Sequence, residues 1–170
     1  MAEPFAPLSG ARILELLPQQ EPFRFVDEIL EVDDDHIVAK YTFRPDADFY
    51  RGHFPGNPIT PGVLLVEAMA QTGVVALGIY LVARERSIED VRRVLTVFTD
   101  VNAEFSGVVR PGNTVTMSAR KVFFRRMKLR SSVEMRLEDG SLVATATVAG
   151  MGIEAAPPAK AEAAEAGCGS

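Results

Sequence analysis

Residues 51–73 read RGHFPGNPITPGVLLVEAMAQTG, a loop crowded with proline and glycine that runs directly into an almost wholly apolar stretch. The loop, Arg51 to Gly62, is stiffened at Pro55, Pro58 and Pro61 and relieved by three glycines, so it can hold a side chain in a fixed place. Thr60 is an acceptable N-cap, Pro61 suits a first helical position where its missing N–H has no partner to lose, and Gly62 follows. From Val63 to Ala83 the residues are apolar around most of the circumference, broken mainly by Glu67, Gln71 and Thr72. That pattern predicts a helix enclosed on nearly all sides, and its length is about 30 Å at ~1.5 Å per residue. Such a length also fits a membrane span. An ionisable group inside it, three prolines just ahead of it and strand-rich flanks argue instead for a helix wrapped by a sheet.

Upstream, a short helix is expected around Gly10 to Leu17, then strands over Phe23 to Val32 and His36 to Phe43, joined by the turn Asp33, Asp34, Asp35. Downstream, Val94 to Ile153 reads as strands over 94–101, 113–124, 129–138 and 141–152, with Asp139-Gly140 as a hairpin turn. Val115, Met117 and Ala119 alternate with Thr114, Thr116 and Ser118, the period of a strand with one buried face. One long buried helix against a largely antiparallel sheet is an α+β arrangement. Residues 1–153 are expected to form one domain; 154–170, built mainly of Ala, Pro, Gly and Glu, are expected to be a flexible tail that cannot bury enough apolar surface to order itself.

Composition narrows the function. The chain is 47% hydrophobic and 24% charged, ordinary for a globular protein, and its net charge of −5 opposes any general affinity for nucleic acid. The N-terminus lacks a basic segment followed by an apolar one, so no secretory signal is read and a cytoplasmic location is expected. Cys168 has no second cysteine to pair with, and His36 and His53 are the two histidines, which leaves no cluster at metal-ligand spacing.

Two residues stand out. A lone histidine in a loop, such as His53, is more often structural than catalytic. Glu67 is harder to dismiss, because an ionised carboxylate in an apolar helix costs several kcal/mol unless it is paired or neutralised, and a neutral carboxyl is a usable acid. Gln71 lies four residues on, on the same face, where its amide can hold that carboxyl.

The segment GHFPGNPITPGVLLVEAMAQ resembles the signature of the bacterial 3-hydroxyacyl-acyl-carrier-protein dehydratases, and the likeness extends through LLPQQEPFRFVDEILEV upstream and FTDVNAEFSGVVRPGNTV downstream. It implies a hot-dog fold, in which a central helix is wrapped by an antiparallel sheet and two protomers join their sheets into a homodimer, often assembled further into a trimer of dimers. It implies no cofactor and no metal. It makes His53 and Glu67 a catalytic pair meeting from different protomers, with Gln71, Phe54, Pro55 and Gly56 in support. The backbone N–H groups of Gly62 and Val63, at the positive end of the helix dipole, are then suited to the thioester oxygen, unless the Thr60 side chain caps one of them. An acyl chain needs an apolar tunnel, its depth set by side chains such as Phe54 and Phe105. Glu rather than Asp at position 67 resembles the branch that dehydrates without isomerising.

The stretch Ala119–Arg130 carries Arg120, Lys121, Arg125, Arg126, Lys128 and Arg130 in an otherwise acidic chain. Those charges suit docking of an acidic acyl carrier protein; a solvated strand pair is the plainer reading. Two places depart from the family pattern. Gln19-Gln20-Glu21 stands where a His-Arg pair usually precedes Tyr-Pro-Phe, and Glu104-Phe105-Ser106 lacks the usual flanking basic residues. A specialised lipid or polyketide pathway would account for both. Of the alternatives, a thioesterase on this fold would lack the histidine before the helix, and a non-catalytic acyl-binding subunit would be expected to lose His53 or Glu67.

Overall fold

The computed structural model describes residues 6–155. Helix α1, Gly10–Leu16, is capped by Ser9, whose hydroxyl accepts the Arg12 N–H. Strands β1 (Glu28–Val32) and β2 (His36–Thr42) form a hairpin about the acidic turn. A single 3₁₀ turn, Asp48–Arg51, leads into the loop and then into α2, Gly62–Ala83. After the short α3 (Ile88–Val91) come β3 (Val94–Phe105), β4 (Thr114–Arg125), β5 (Lys128–Leu137) and β6 (Leu142–Glu154).

All pairings are antiparallel and the sheet order is β1-β2-β4-β5-β6-β3. The chain leaves β2, crosses the sheet as α2, forms the far edge as β3, and returns to lay β4 beside β2. Inward-facing residues alternate as expected: Ile37, Ala39 and Tyr41 on β2, Val115, Met117 and Ala119 on β4, Val133 and Met135 on β5 are buried against α2. Residues 68–77 of α2 are buried without a break, which no surface helix would show. The helix is long and apolar enough to cross a membrane by length and composition, and here it is the core that the sheet encloses. This is the α+β hot-dog arrangement.

Four details differ from the sequence reading. β1 begins at Glu28, not Phe23, because the backbone groups of Phe23 and Phe25 are bound by the Gln71 amide rather than by a neighbouring strand, and Phe25 and Val26 are buried in succession. β3 continues four residues beyond Val101, since Asn102 to Phe105 stay in register with Thr147 to Ala144 on β6. Thr60 is not the helix cap. Its hydroxyl lies 2.6 Å from the Tyr50 hydroxyl and its N–H donates to the Val109 carbonyl, so Pro61 takes the cap position in an extended conformation and α2 starts at Gly62. Finally, Gln71–Ala76 forms a π-helical turn inside α2.

The π turn sits where helix and sheet touch most closely. A Cβ on Gly73 would stand 2.8 Å from Val133 Cγ2 and 3.1 Å from the Ala119 Cβ, so only a bare α-carbon fits. The fully buried Ser131 donates its hydroxyl to the Gly73 carbonyl at 2.6 Å. At the C-terminal end, β6 runs through Glu154, and the Ala155 N–H donates to the Arg93 carbonyl. The rest of the expected tail, residues 156–170, lies outside the described residues.

Candidate active site

The loop ahead of α2 is built around a tight turn from Phe54 to Asn57, with Pro55 first and Gly56 second of the two central residues; the Asn57 N–H donates to the Phe54 carbonyl at 3.0 Å. Gly56 has φ of +76°, the conformation this turn type demands and side chains disfavour. The His53–Phe54 peptide is cis. Arg110 reaches Asn57 Oδ1 at 3.3 Å, and the Thr60 bond to Val109 ties the loop to the segment after β3.

His53 is held at three points. Its N–H donates to the Phe49 carbonyl at 3.0 Å, its carbonyl accepts the Ile59 N–H at 2.9 Å, and its ring Nδ1 lies 2.8 Å from the Ile59 carbonyl. A carbonyl can only accept, so Nδ1 carries the hydrogen and, in the neutral ring, Nε2 keeps the lone pair. The half-buried ring stacks on the Phe54 ring, centroids 4.1 Å apart at 23°. Phe54, Pro55 and Gly56 are themselves exposed: Pro55 and Gly56 shape the turn and Phe54 backs the imidazole.

At the start of α2, Gly62 and Val63 have no residue one turn back to receive their N–H groups, and the first such bond is from Leu64 to the Pro61 carbonyl at 2.9 Å. With Thr60 engaged by Tyr50, its side chain does not compete for these donors. Val63 is exposed, and the Phe105 ring lies against Gly62.

Glu67, half-buried, accepts from Gln71 Nε2 at 2.9 Å. The fully buried Gln71 amide makes two further bonds, Nε2 to the Phe23 carbonyl at 2.8 Å and Oε1 from the Phe25 N–H at 2.7 Å. That network fixes which end of the amide is which, and so which atom faces Glu67. Glu67 lines a pocket whose other polar side chains are Gln19 and Thr96, with Ala70, Phe98 and Gly150 among its apolar walls. A second, mainly apolar cleft shares Val74, Val75, Thr96 and Gly150 with it and continues along α2 past Gly78 to Val82, Phe124 and Met127. Within one chain, His53 and Glu67 share no hydrogen bond or ion pair among the described residues.

The basic stretch is uneven. Lys121 pairs with Asp35 at 3.0 Å, and Arg130 pairs with Asp100 while lying 5.9 Å from the centroid of the Phe123 ring. Arg120 lines an open groove on the outer face of the sheet with Glu104 and Glu134. Arg125 and Arg126 are exposed at the β4–β5 turn, and Lys128 is partly covered beside them. Among the described residues no group of three or more His, Cys, Asp or Glu could hold a metal ion.

The sequence reading missed two contributors: the Ile59 carbonyl, a backbone group with no residue signature, and Gln19, whose signal was the break in the family pattern at that position.

The family model for the FabA-like domain matches residues 17–148. The 3-hydroxyacyl-acyl-carrier-protein dehydratase FabZ of Streptococcus uberis is 38% identical over 138 residues, covering 80% of this chain and 91% of that protein. FabZ of Streptococcus pyogenes serotype M3 is 38% identical over 134 residues, 78% of this chain and 89% of the other. Among solved structures, a chain of the dehydratase heterocomplex ApeI:P from Xenorhabdus doucetiae superposes with a TM-score of 0.69 at 13% identity, over 88% of this chain and 93% of that one. A thioesterase from Haemophilus influenzae superposes with a TM-score of 0.63 at 18% identity, over 92% and 99%. At such identities these two structures bear on the fold and on neither activity.

Proposed function

The chain belongs to the FabA-like family, and on that premise we propose that it dehydrates 3-hydroxyacyl thioesters carried on acyl carrier protein, giving trans-2-enoyl thioesters for fatty-acid or a related lipid or polyketide synthesis. The observation that carries the reading is the bond from His53 Nδ1 to the Ile59 carbonyl, because it leaves Nε2 bare as a base on a rigid loop. His53 Nε2 removes the proton from C2. The electron pair of that C–H bond becomes the C2=C3 bond, while the C3–O pair leaves with a proton from Glu67 as water. Charge that gathers on the thioester oxygen meets the N–H groups of Gly62 and Val63, aligned with the positive end of the α2 dipole. Exchange with solvent then returns His53 to its neutral form and Glu67 to its acid form.

The site is completed by a second copy of the chain. Among the described residues β3 pairs only with β6, and it exposes Leu95, Val97, Phe98, Val101 and Phe105 along its free edge. An unpaired apolar edge of that length invites another strand, and a two-fold axis through β3 would continue the sheet. Glu67 opens beside Phe98 on β3, whereas the His53 loop lies toward the Phe105 end. Antiparallel β3 strands bring the Phe98 region of one protomer toward the Phe105 end of its partner, and so Glu67 toward the other chain's His53. The same axis carries the Arg125-Arg126 turn, which sits at the Val94 end of β3, to the loop end of the partner, where carrier protein would dock. The acyl chain runs in the cavities along α2, and the enzyme works in the cytoplasm.

Incubating the protein with a 3-hydroxyacyl carrier protein tests the reading. Appearance of the conjugated enoyl thioester supports it. Release of free thiol instead would make the chain a thioesterase, and no change in the thioester would leave it an acyl-binding subunit.

A further inference from the structure

Gln19 lies between α1 and β1, and its Oε1 atom is sealed from solvent without a hydrogen-bond donor among the described residues. It is one of the few polar groups lining the pocket into which Glu67 opens. Buried carbonyl oxygens in folded proteins nearly always have a donor, and one that lacks it marks a place where something else supplies the hydrogen. The neighbouring Gln71 amide has no hydrogen left for it, having given both to Glu67 and to the Phe23 carbonyl.

We propose that Gln19 is a positioning residue whose Oε1 accepts the hydrogen of the substrate's 3-hydroxyl group, aiming that hydroxyl's lone pair at Glu67. The inference rests on the dehydratase reading above and adds to it the residue that recognises the hydroxyl. A hydroxyl has one hydrogen to give and two lone pairs to receive with. For it to leave as water, a lone pair must face the acid, so its own hydrogen must point elsewhere, to a group that accepts. Gln71 holds Glu67 through Oε1, which leaves Oε2 as the oxygen free to present the acid proton to the pocket. Gln19, which lines the same pocket, offers that acceptor in its unpartnered Oε1. In the reaction the hydroxyl keeps its O–H bond, gains the Glu67 proton as C3–O breaks, and departs as water with one hydrogen from each source. The amide stands at the point where the sequence leaves its family's pattern.

Binding of two stable amide analogues to the intact protein tests this: a 3-hydroxyacyl-pantetheine amide and its saturated counterpart without the hydroxyl. In the unmodified protein the hydroxylated ligand binds more tightly. Gln19→Met keeps the length of the side chain and removes the acceptor; it is expected to cut that preference by about tenfold while leaving affinity for the saturated ligand unchanged. Turnover of the 3-hydroxyacyl thioester falls in the same variant. Gln19→His, which offers a ring nitrogen as acceptor, is expected to retain the preference. An unchanged preference in Gln19→Met, or in Gln19→Leu should the first variant not fold, overturns the assignment. An equal loss for both ligands also overturns it, since that is the mark of a packing role. Failure of the dehydratase reading shows itself separately, as absence of enoyl product from the unmodified protein.

Discussion

A buried amide must place two hydrogens and a carbonyl oxygen, and Gln71 does so on groups 4, 46 and 48 residues away in sequence. Its i+4 relation to Glu67 was legible from spacing, as was the isolation of Glu67 in an apolar helix. Its grip on Phe23 and Phe25 was not, because nothing local says which distant backbone a side chain will meet. Gln71→Met would leave the Phe25 N–H and Phe23 carbonyl without partners inside the fold, an expected loss of about 2–6 kcal/mol at ~1–3 kcal/mol per orphaned group. A lower urea midpoint at unchanged slope, together with reduced turnover from a loosened Glu67, is the expected result; a midpoint within error of the parent would refute it. His36 offers a second residue-level test. The Glu31 carboxylate, 3.2 Å away, and then Asp33, at 2.8 Å, hold its imidazole above the ordinary value near 6.5. A raised folded value means the charged ring favours the folded state. That contribution is complete below about pH 6.5 and disappears as pH rises through the folded value. His36→Gln should therefore lower stability more at about pH 5.5 than at about pH 8.5, and an equal loss at both would show that the ring acts by packing alone.

Element boundaries were read to within a residue or two where local chemistry sets them and missed where a distant partner does. Ser9, Pro61 and the Asp139-Gly140 turn act on their own neighbours. The Thr60 hydroxyl was claimed by Tyr50, ten residues back, and the end of β3 was decided by β6. The π turn left no mark in composition; it lies where α2 fits most closely into the sheet. That fit makes the two glycines in the buried part of α2 unequal. A Cβ at Gly73 meets Val133 Cγ2 at 2.8 Å and Ala119 at 3.1 Å, whereas at Gly78 the nearest group is Leu129 Cδ2 at 3.7 Å, an ordinary contact. Gly78→Ala should gain ~0.5–1 kcal/mol from helix propensity and a less flexible unfolded chain. Gly73→Ala should instead lose about 1–3 kcal/mol, because helix and sheet must separate to admit the methyl. Thermal unfolding of the pair reads the contrast, and equal shifts would mean the contact at Gly73 is not tight.

For the whole molecule, the sequence carried the wrapped helix through its periodicity, but a chain read alone does not disclose which of its edges meets another copy. The structure places apolar side chains along the free edge of β3, and the proposed site draws His53 from one protomer and Glu67 from the other. Mixing separates this from a site within one chain. His53→Ala and Glu67→Gln homodimers should each be inactive, since every site lacks its base or its acid. When the two are unfolded together and refolded, a mixed dimer holds one site with both lesions and one with neither. Random pairing makes about half the dimers mixed, so the mixture should recover about a quarter of the parent rate. A site within a single chain leaves every protomer defective, and the mixture then stays inactive however the chains pair. Placing a charge on the edge, as in Val97→Lys, should abolish both the recovery and the dimer, read by sedimentation. A dimer that survives that change with full activity would move the interface away from β3, and the shared site with it.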